Sequence, residues 1–251
     1  MSANVYLNEA SNLINKIQTT QMENLQKAGE VMATSIAAGR AVHAFGSGHS
    51  VISVMDLFPR YGSYVGFHPI MDPRLMWSNV VGPGGARELL WLERVEGYVR
   101  NVLLSHHLDP RDSMLVYSHG GMNAAPIEMA LQAKEAGLTV IAVTSVANRA
   151  LNEPKHSSGK SLHDVADIVI DNCSPPEDAV VEVEGLLGKV AATSTLTGVA
   201  VTMALVAETT AALVRMGKVP ERVFVSPNVP GVEKDHNEQV FIDYERFQDS
   251  L

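Results

Sequence analysis

Between Ser118 and Ser145 the chain reads SHGGMNAAPIEMALQAKEAGLTVIAVTS, and this stretch leaves few architectures open. The apolar run from Met114 to Ser118 has the length of a buried strand and stops at Gly120 and Gly121, residues suited to a turn with unusual backbone angles. A helix follows at once. Asn123 stands at its N-cap, Pro126 fits its first turn, Ile127, Ala130, Leu131 and Ala133 give it an inward face, and Gly137 ends it. LTVIAVT is then the next parallel strand, closing on Thr144 and Ser145. The unpaired amides and partial positive charge of such a helix start would hold a phosphate over residues 123 to 127 mostly by backbone, with Ser118, Asn123, Thr144 and Ser145 as side-chain donors. Any structural βαβ unit shares this outline, so the anion reading needs a second element.

That element is AVHAFGSGHSVIS, residues 41 to 53, where an apolar strand runs into Gly46, Ser47, Gly48, His49 and Ser50 before a helix. Ligands of open parallel sheets sit beyond the carboxyl ends of strands where the chain order reverses, so two such turns would face one crevice. A dinucleotide fold competes, because Gly46-Ser47-Gly48 begins like G-x-G-x-x-G and Asp72 follows the next apolar stretch. It has Val51 in place of the third glycine, an acid too far along, and no explanation for the Ser118 turn.

With both turns in view, the chain resembles the sugar isomerase (SIS) domain, a phosphosugar-binding α/β fold. In that family a glycine-serine turn after the first strand, a S-x-S-G-x-[ST/N] turn after a middle strand and a T-S ending the next strand surround the sugar phosphate. Gly46 to Ser50, Ser118 to Asn123 and Thr144-Ser145 stand in those places here. The segments PIEMALQAKEAG, ADIVIDN, TSTLTG and FVSPN are most similar to a little-characterised single-domain group labelled phosphoheptose isomerase. The resemblance implies a three-layer αβα sandwich on a five-stranded parallel sheet, flavodoxin-like, with added N-terminal and C-terminal helices. It also implies that Ser47, Gly48, Ser50, Ser118, Gly120, Gly121, Asn123, Thr144 and Ser145 bind substrate. Gly120 departs from the motif by replacing its second serine. A hydrogen bond to a charged group contributes about 1.5–3 kcal/mol, so phosphate affinity would fall about tenfold or more unless backbone or His119 compensates.

The length of 251 residues with 46% hydrophobic residues fits one α/β domain: a core over about 38–217, an N-terminal helix over 4–38 and an extension over 218–251. A net charge of −9 opposes a nucleic-acid surface and leaves an anionic substrate to local donors. The single cysteine, Cys173, excludes an internal disulfide, and with no secretion-like start at the N-terminus the expected setting is the cytoplasm. Val190 to Ala207 carries no charge, yet its threonines, Ser194 and Gly198 make it too polar for a lone membrane span. A helix without a charged face is explained by burial on several sides, one of them against a partner chain, so a homodimer or homotetramer is expected.

The expected order is helix 4–38, strand 41–46, helix 50–58, strand 64–70, helix 86–106, strand 114–118, helix 124–136, strand 139–144, strand 167–171 and helix 190–216, then a short apolar stretch at 223–226. The glycine-rich loop 82–85 reads as a plain connection, with a lid as the alternative. The polar stretch from Asn148 to His163 is long enough to be an ordinary surface loop or to close over a bound sugar.

Aldose-ketose isomerisation needs a base beside a carbonyl and an acid for the enediolate oxygen. His49 in the first turn, Glu208 on the last long helix and His236 in EKDHN are the candidate catalytic residues, with Glu128 a further carboxylate. Each has an ordinary ion-pair, solvated or structural reading as well. Phosphoheptose isomerases carry a His and a Glu after the first turn and a Gln and a His on the last helix. Asp56 and Arg60 fall near the first pair here, and TSTLTGVAVTMALVAE contains no histidine, a departure that speaks against both metal binding and the heptose reaction. ATST, residues 192–195, resembles the PTSST segment of arabinose-5-phosphate isomerases, making Thr193, Ser194 and Thr195 candidate contacts, with a simple N-cap as the alternative. The adjacent pair His106-His107 would point to different helix faces and lacks a third ligand, so no metal and no cofactor is expected. The reading that results is a phosphosugar-binding protein acting as an aldose-ketose isomerase, with a non-catalytic sensor or an amino-sugar-phosphate lyase as alternatives.

Overall fold

The computed structural model describes residues 1–251. Five parallel strands run in the order β2 (Phe67–Ile70), β1 (Val42–Gly46), β3 (Ser113–Tyr117), β4 (Thr139–Thr144), β5 (Ile168–Asp171). Every residue of β1 and β3 is buried, which is why both read as unbroken runs rather than alternating ones. Alternate side chains still divide between two cores. Ala44, Leu115, Tyr117, Ile141 and Val143 join Met32, Val54 and Leu205 on one face, where α2 (Met22–Ala37), α3 (Val51–Met55) and α9 (Ser194–Arg215) pack. Phe45, Met114, Val116, Val140 and Ala142 join Leu89, Val99 and Met129 on the other. That face is covered by α4 (Ala86–Leu92), α5 (Tyr98–Leu103), α6 (Ala124–Glu135) and the one-turn α8 (Leu162–Val165). The expected three-layer αβα sandwich is what forms, and α10 (His236–Asp249) supplies the C-terminal helix.

Several boundaries differ from expectation. The helix over 4–38 is two, α1 (Ser2–Thr20) and α2, parted at Gln21. The Gln21 side chain leaves the helical path to accept the Asp171 amide at 3.0 Å, satisfying a donor on edge strand β5. The helix over 86–106 is likewise split, because Gly97 adopts a left-handed φ of 85° that no helix continues through. Residues 190–192 are not helical. They form β7 (Val190–Ala192), antiparallel to β6 (Ala179–Val181), a hairpin too short for its alternation to show in sequence. The stretch 148–163 contains the end of α7 (Val146–Leu151) and the start of α8.

Helix α9 is long and apolar enough to cross a membrane by length and composition alone, and half of its most apolar stretch is buried, chiefly against α2. The two approach so closely that a Cβ on Gly29 would lie 2.8 Å from Cβ of Glu208 and 3.0 Å from its backbone carbon. At the opposite end of the sheet from the turns, the fully buried Asp112 accepts from Arg40, from the amide of Ala41 and from His43. Burial opposes its ionisation, but the hydrogen bonds from His43, Arg40 and the amides of Asp109 and Ala41 outweigh it and bring its pKa to about 2.

Candidate functional site

The chain leaves β1 for β2 on one side and then places β3 on the other, so the order reverses between β1 and β3. Gly46 pairs with Tyr117 at the carboxyl end of that junction, and the two glycine turns therefore start from adjacent strands. Two depressions open there. The first is lined by Ser50, Ser53, Ser118, His119, Asn172, Ser194 and Thr195, with Gly198 and Tyr117 as its floor. The second, beside the start of α6, is lined by Ser118, Gly120, Gly121, Met122, Asn123, Asn148, Asn152 and Lys155. Ser118 belongs to both.

Local geometry explains why the second turn holds its shape. Ser118 Oγ accepts the Gly121 amide at 3.1 Å, leaving its own hydrogen free. Gly121 sits at φ 66°, and a Cβ there would press Thr144 Oγ1 at 3.2 Å and His163 Nδ1 at 3.4 Å. Asn123 occupies the N-cap in an extended conformation, but its side chain caps nothing and remains available to the depression. A Cβ at Gly120 would lie 3.3 Å from Asn148 Oδ1, so a side chain at this position would crowd Asn148. Lys155, engaged in no ion pair, brings a cation to the same wall. Its loop is tied down by Glu96, which accepts the Ser157 amide at 2.7 Å and the Ser157 hydroxyl. His156, with a side chain 8% exposed, lies 3.8 Å from both Glu96 and Glu128.

The start of α9 is differently occupied. The Asp178 carboxylate accepts the amides of Thr193 (2.9 Å) and Ser194 (2.6 Å) and the Ser194 hydroxyl (2.7 Å), an anion already in place at that helix terminus. Burial opposes its charge, yet the Ser194 hydroxyl, these amides and nearby His119 hold its pKa below the usual carboxylate range.

Of the residues expected at the site, Ser50, Ser118, Gly120, Gly121, Asn123, Ser194 and Thr195 line these two depressions. Others do not. Thr144 donates to the His119 carbonyl at 3.2 Å, and Ser145 donates to the Ser174 carbonyl at 2.7 Å while accepting the Asn148 amide; both are fully buried and line neither depression. Ser47 donates to Glu93 at 2.9 Å, Gly48 lies against Leu89 and Trp77, and His49 is exposed with its ring edge-on to Trp77. Thr193 is buried, bonded to Ser174 and Asp178. Glu208 stands at the α2–α9 crossing, four helical turns from Ser194, and His236 Nε2 donates to the Val223 carbonyl at 2.7 Å. Glu128 accepts the amides of Gly97 and Val99, capping α5. The expected catalytic set is therefore not assembled at the turns within one chain.

Residues outside that set arrive instead. Ser53 follows Ser50 by one helical turn, a spacing visible in sequence, and Asn172 directly follows β5. Glu93, 7% exposed, lies beside the first turn, and its carbonyl accepts the Ala125 amide of α6 at 3.0 Å; burial pushes its carboxyl pKa upward. His119 Nδ1 and both ring nitrogens of His163 are buried without partners. No cluster of three or more His, Cys, Asp or Glu side chains is arranged to hold a metal ion.

A parallel sheet reversing between β1 and β3, with paired glycine turns at that junction, defines the class of α/β proteins that open a ligand crevice at the sheet's carboxyl edge. The family model described as the SIS domain matches residues 5–145, and the chain belongs to that family. It is 33% identical over 245 residues to a UPF0309 protein of Thermoanaerobacter pseudethanolicus, covering 96% of each chain. It is also 37% identical over 227 residues to one of Shouchella clausii, covering 90% of each. Among solved structures, phosphoheptose isomerases from Neisseria gonorrhoeae (TM-score 0.55) and Francisella tularensis (TM-score 0.53) share its fold at 14% identity, each over 82% of this chain and 95% of theirs.

Proposed function

We propose that the protein binds a phosphorylated sugar at the β1–β3 junction and interconverts its aldose and ketose forms. The carrying observation is that Ser50 of the first glycine turn and Ser118 of the second line one depression, and Ser118 also lines the depression at the start of α6. In this reading the phosphate lies at the start of α6, against backbone amides, Ser118, Asn123 and the Lys155 ammonium, in a chain whose net charge of −9 offers no wider attraction. The sugar carbons extend toward Ser50, His119, Ser194 and Thr195. Membership of the SIS family supports a phosphorylated sugar as the ligand. A thermal-shift screen of aldose and ketose phosphates tests it: a ligand at about 100 times its Kd adds about 2.7 kcal/mol of stability. No saturable shift with any sugar phosphate would refute the reading.

A non-catalytic sensor is the second reading, favoured by the placement of Glu208 and His236 away from the turns. Incubation in deuterated water separates the two, since only an isomerase exchanges the hydrogen beside the carbonyl.

A further inference from the structure

We propose that His68 and His106 hold a divalent transition-metal ion of the zinc, nickel or copper kind in a cavity at the amino-terminal edge of the sheet, independent of the crevice and its ligand. The cavity measures about 240 Å³, and four of the seven residues lining it are histidines: His43, His68, His106 and His107. Parallel pairing sets His43 of β1 opposite His68 of β2, and the two rings meet with their Nδ1 atoms 2.9 Å apart. His43 Nε2 lies 3.1 Å from the Asp112 carboxylate, which only accepts, so Nε2 carries a hydrogen. In the neutral ring His43 Nδ1 is then the acceptor, His68 Nδ1 donates to it, and the His68 lone pair falls on Nε2. That nitrogen makes no hydrogen bond and is not sealed from water.

The chain of contacts from Asp112 through His43 to His68 has the form of a metal site's outer shell, in which a ligating imidazole donates its other N–H onward and so keeps its tautomer and orientation. His106 supplies the second donor. It stands in the turn after α5, where its amide donates to the Leu103 carbonyl at 3.0 Å, and its ring lies 5.6 Å from that of His68 between centroids, inclined at 62°. The His106 ring nitrogens are also without hydrogen-bond partners and open to water. Zinc binds imidazole nitrogen at about 2.0–2.1 Å in tetrahedral sites, which sets the centres of two ligating rings roughly 5 Å apart. A small rotation of either half-buried ring closes the difference.

Two imidazoles are fewer than the side chains of a closed structural site, so water completes the coordination sphere and the ion exchanges with solvent. Imidazole nitrogen suits zinc, nickel and copper, whereas magnesium and calcium take oxygen ligands. The net charge of −9 draws cations toward the chain. The expectation of no metal turns on His106 and its neighbour His107, which share no helix face; the fold instead brings His68 from β2 to His106. A bound ion would tie the edge strand β2 to the turn after α5 and stabilise that edge of the sheet.

Zn²⁺ alone is the probe, titrated by calorimetry into the full chain after EDTA treatment and followed by thermal melting. The expected result is saturable uptake of one ion per chain and a rise in melting midpoint that EDTA reverses. Affinity should fall at least about tenfold in His68→Gln and in His106→Gln, while His49→Gln, which alters an exposed histidine at the opposite end of the sheet, binds as the parent does. Parent-like affinity in either of the first two variants overturns the proposal, as does the absence of saturable uptake below about 1 mM Zn²⁺. An equal loss in His49→Gln also overturns it, since the ion would then be held by scattered surface histidines. Should His68→Gln, which removes the partner of His43, fail to fold, His106→Gln on its surface turn decides the question by the same criteria.

Discussion

Ser118 holds two hydrogen-bonding roles at once: its oxygen fixes the Gly121 amide, and its hydrogen is left for a ligand. Ser118→Ala is expected to weaken sugar-phosphate binding about tenfold, the worth of one hydrogen bond to a charged group, with titration of the thermal shift as the measure. Lys155→Met should weaken the same ligands about fivefold at low salt and much less at high salt, since an exposed ammonium acts through a screened field. At the far end of the sheet, Asp112 makes stability depend on pH. Its folded pKa of about 2 lies below the ordinary value of 3.8, so its ionised form stabilises the fold above pH 4. About 2 kcal/mol of that stability should disappear as pH falls from about 4 to 2, a loss visible in urea titrations and reduced in Asp112→Asn. That substitution should itself cost about 3 kcal/mol at neutral pH, because Arg40 and His43 lose their buried partner.

Helix α9 connects the crevice to the core. Its first turn is bound to Asp178, while its middle buries Val201, Leu205 and Thr209 against the layer containing α2. The crossing tolerates no side chain at Gly29. Alanine there gains about 1 kcal/mol in helix propensity, but it meets Glu208 and Thr209 backbone atoms at 3.0 and 3.1 Å, which cannot rotate away as a side-chain tip would. Gly29→Ala is therefore expected to be destabilising by about 1–2 kcal/mol net, measured by denaturant midpoint. Loop 152–160 is the other element that bears on the site, and its ties to Glu96 set where Lys155 stands.

Among the exposed large apolar residues of the molecule are Val5, Leu7 and Ile14 on α1 and Leu186 and Leu187 on the hairpin connection. The two regions are joined by Tyr6, whose hydroxyl donates to the Ala192 carbonyl at 3.1 Å. Such exposure in a helix already packed on α9 is what a subunit interface provides for, and sedimentation is expected to find a dimer or tetramer. A monomer at micromolar concentration would contradict that expectation.

Composition of the strands and position of the glycines were enough to place the sheet and both turns, since a buried parallel strand must be apolar on both faces and a tight turn needs a residue free to adopt positive φ. Helix breaks at Gln21 and the three-residue strands β6 and β7 were not legible, because each depends on partners nine or more residues away. The same reason governs the site. Whether a hydroxyl faces a ligand or an internal carbonyl is a question of which distant group packs beside it, and packing spent Ser47, Thr144 and Ser145 on Glu93, His119 and Ser174. Only the assembled tertiary structure brought Lys155 to the α6 terminus and left His119 Nδ1 buried without a partner, for hydrogen bonds between remote segments are made by the fold and not by the order of residues.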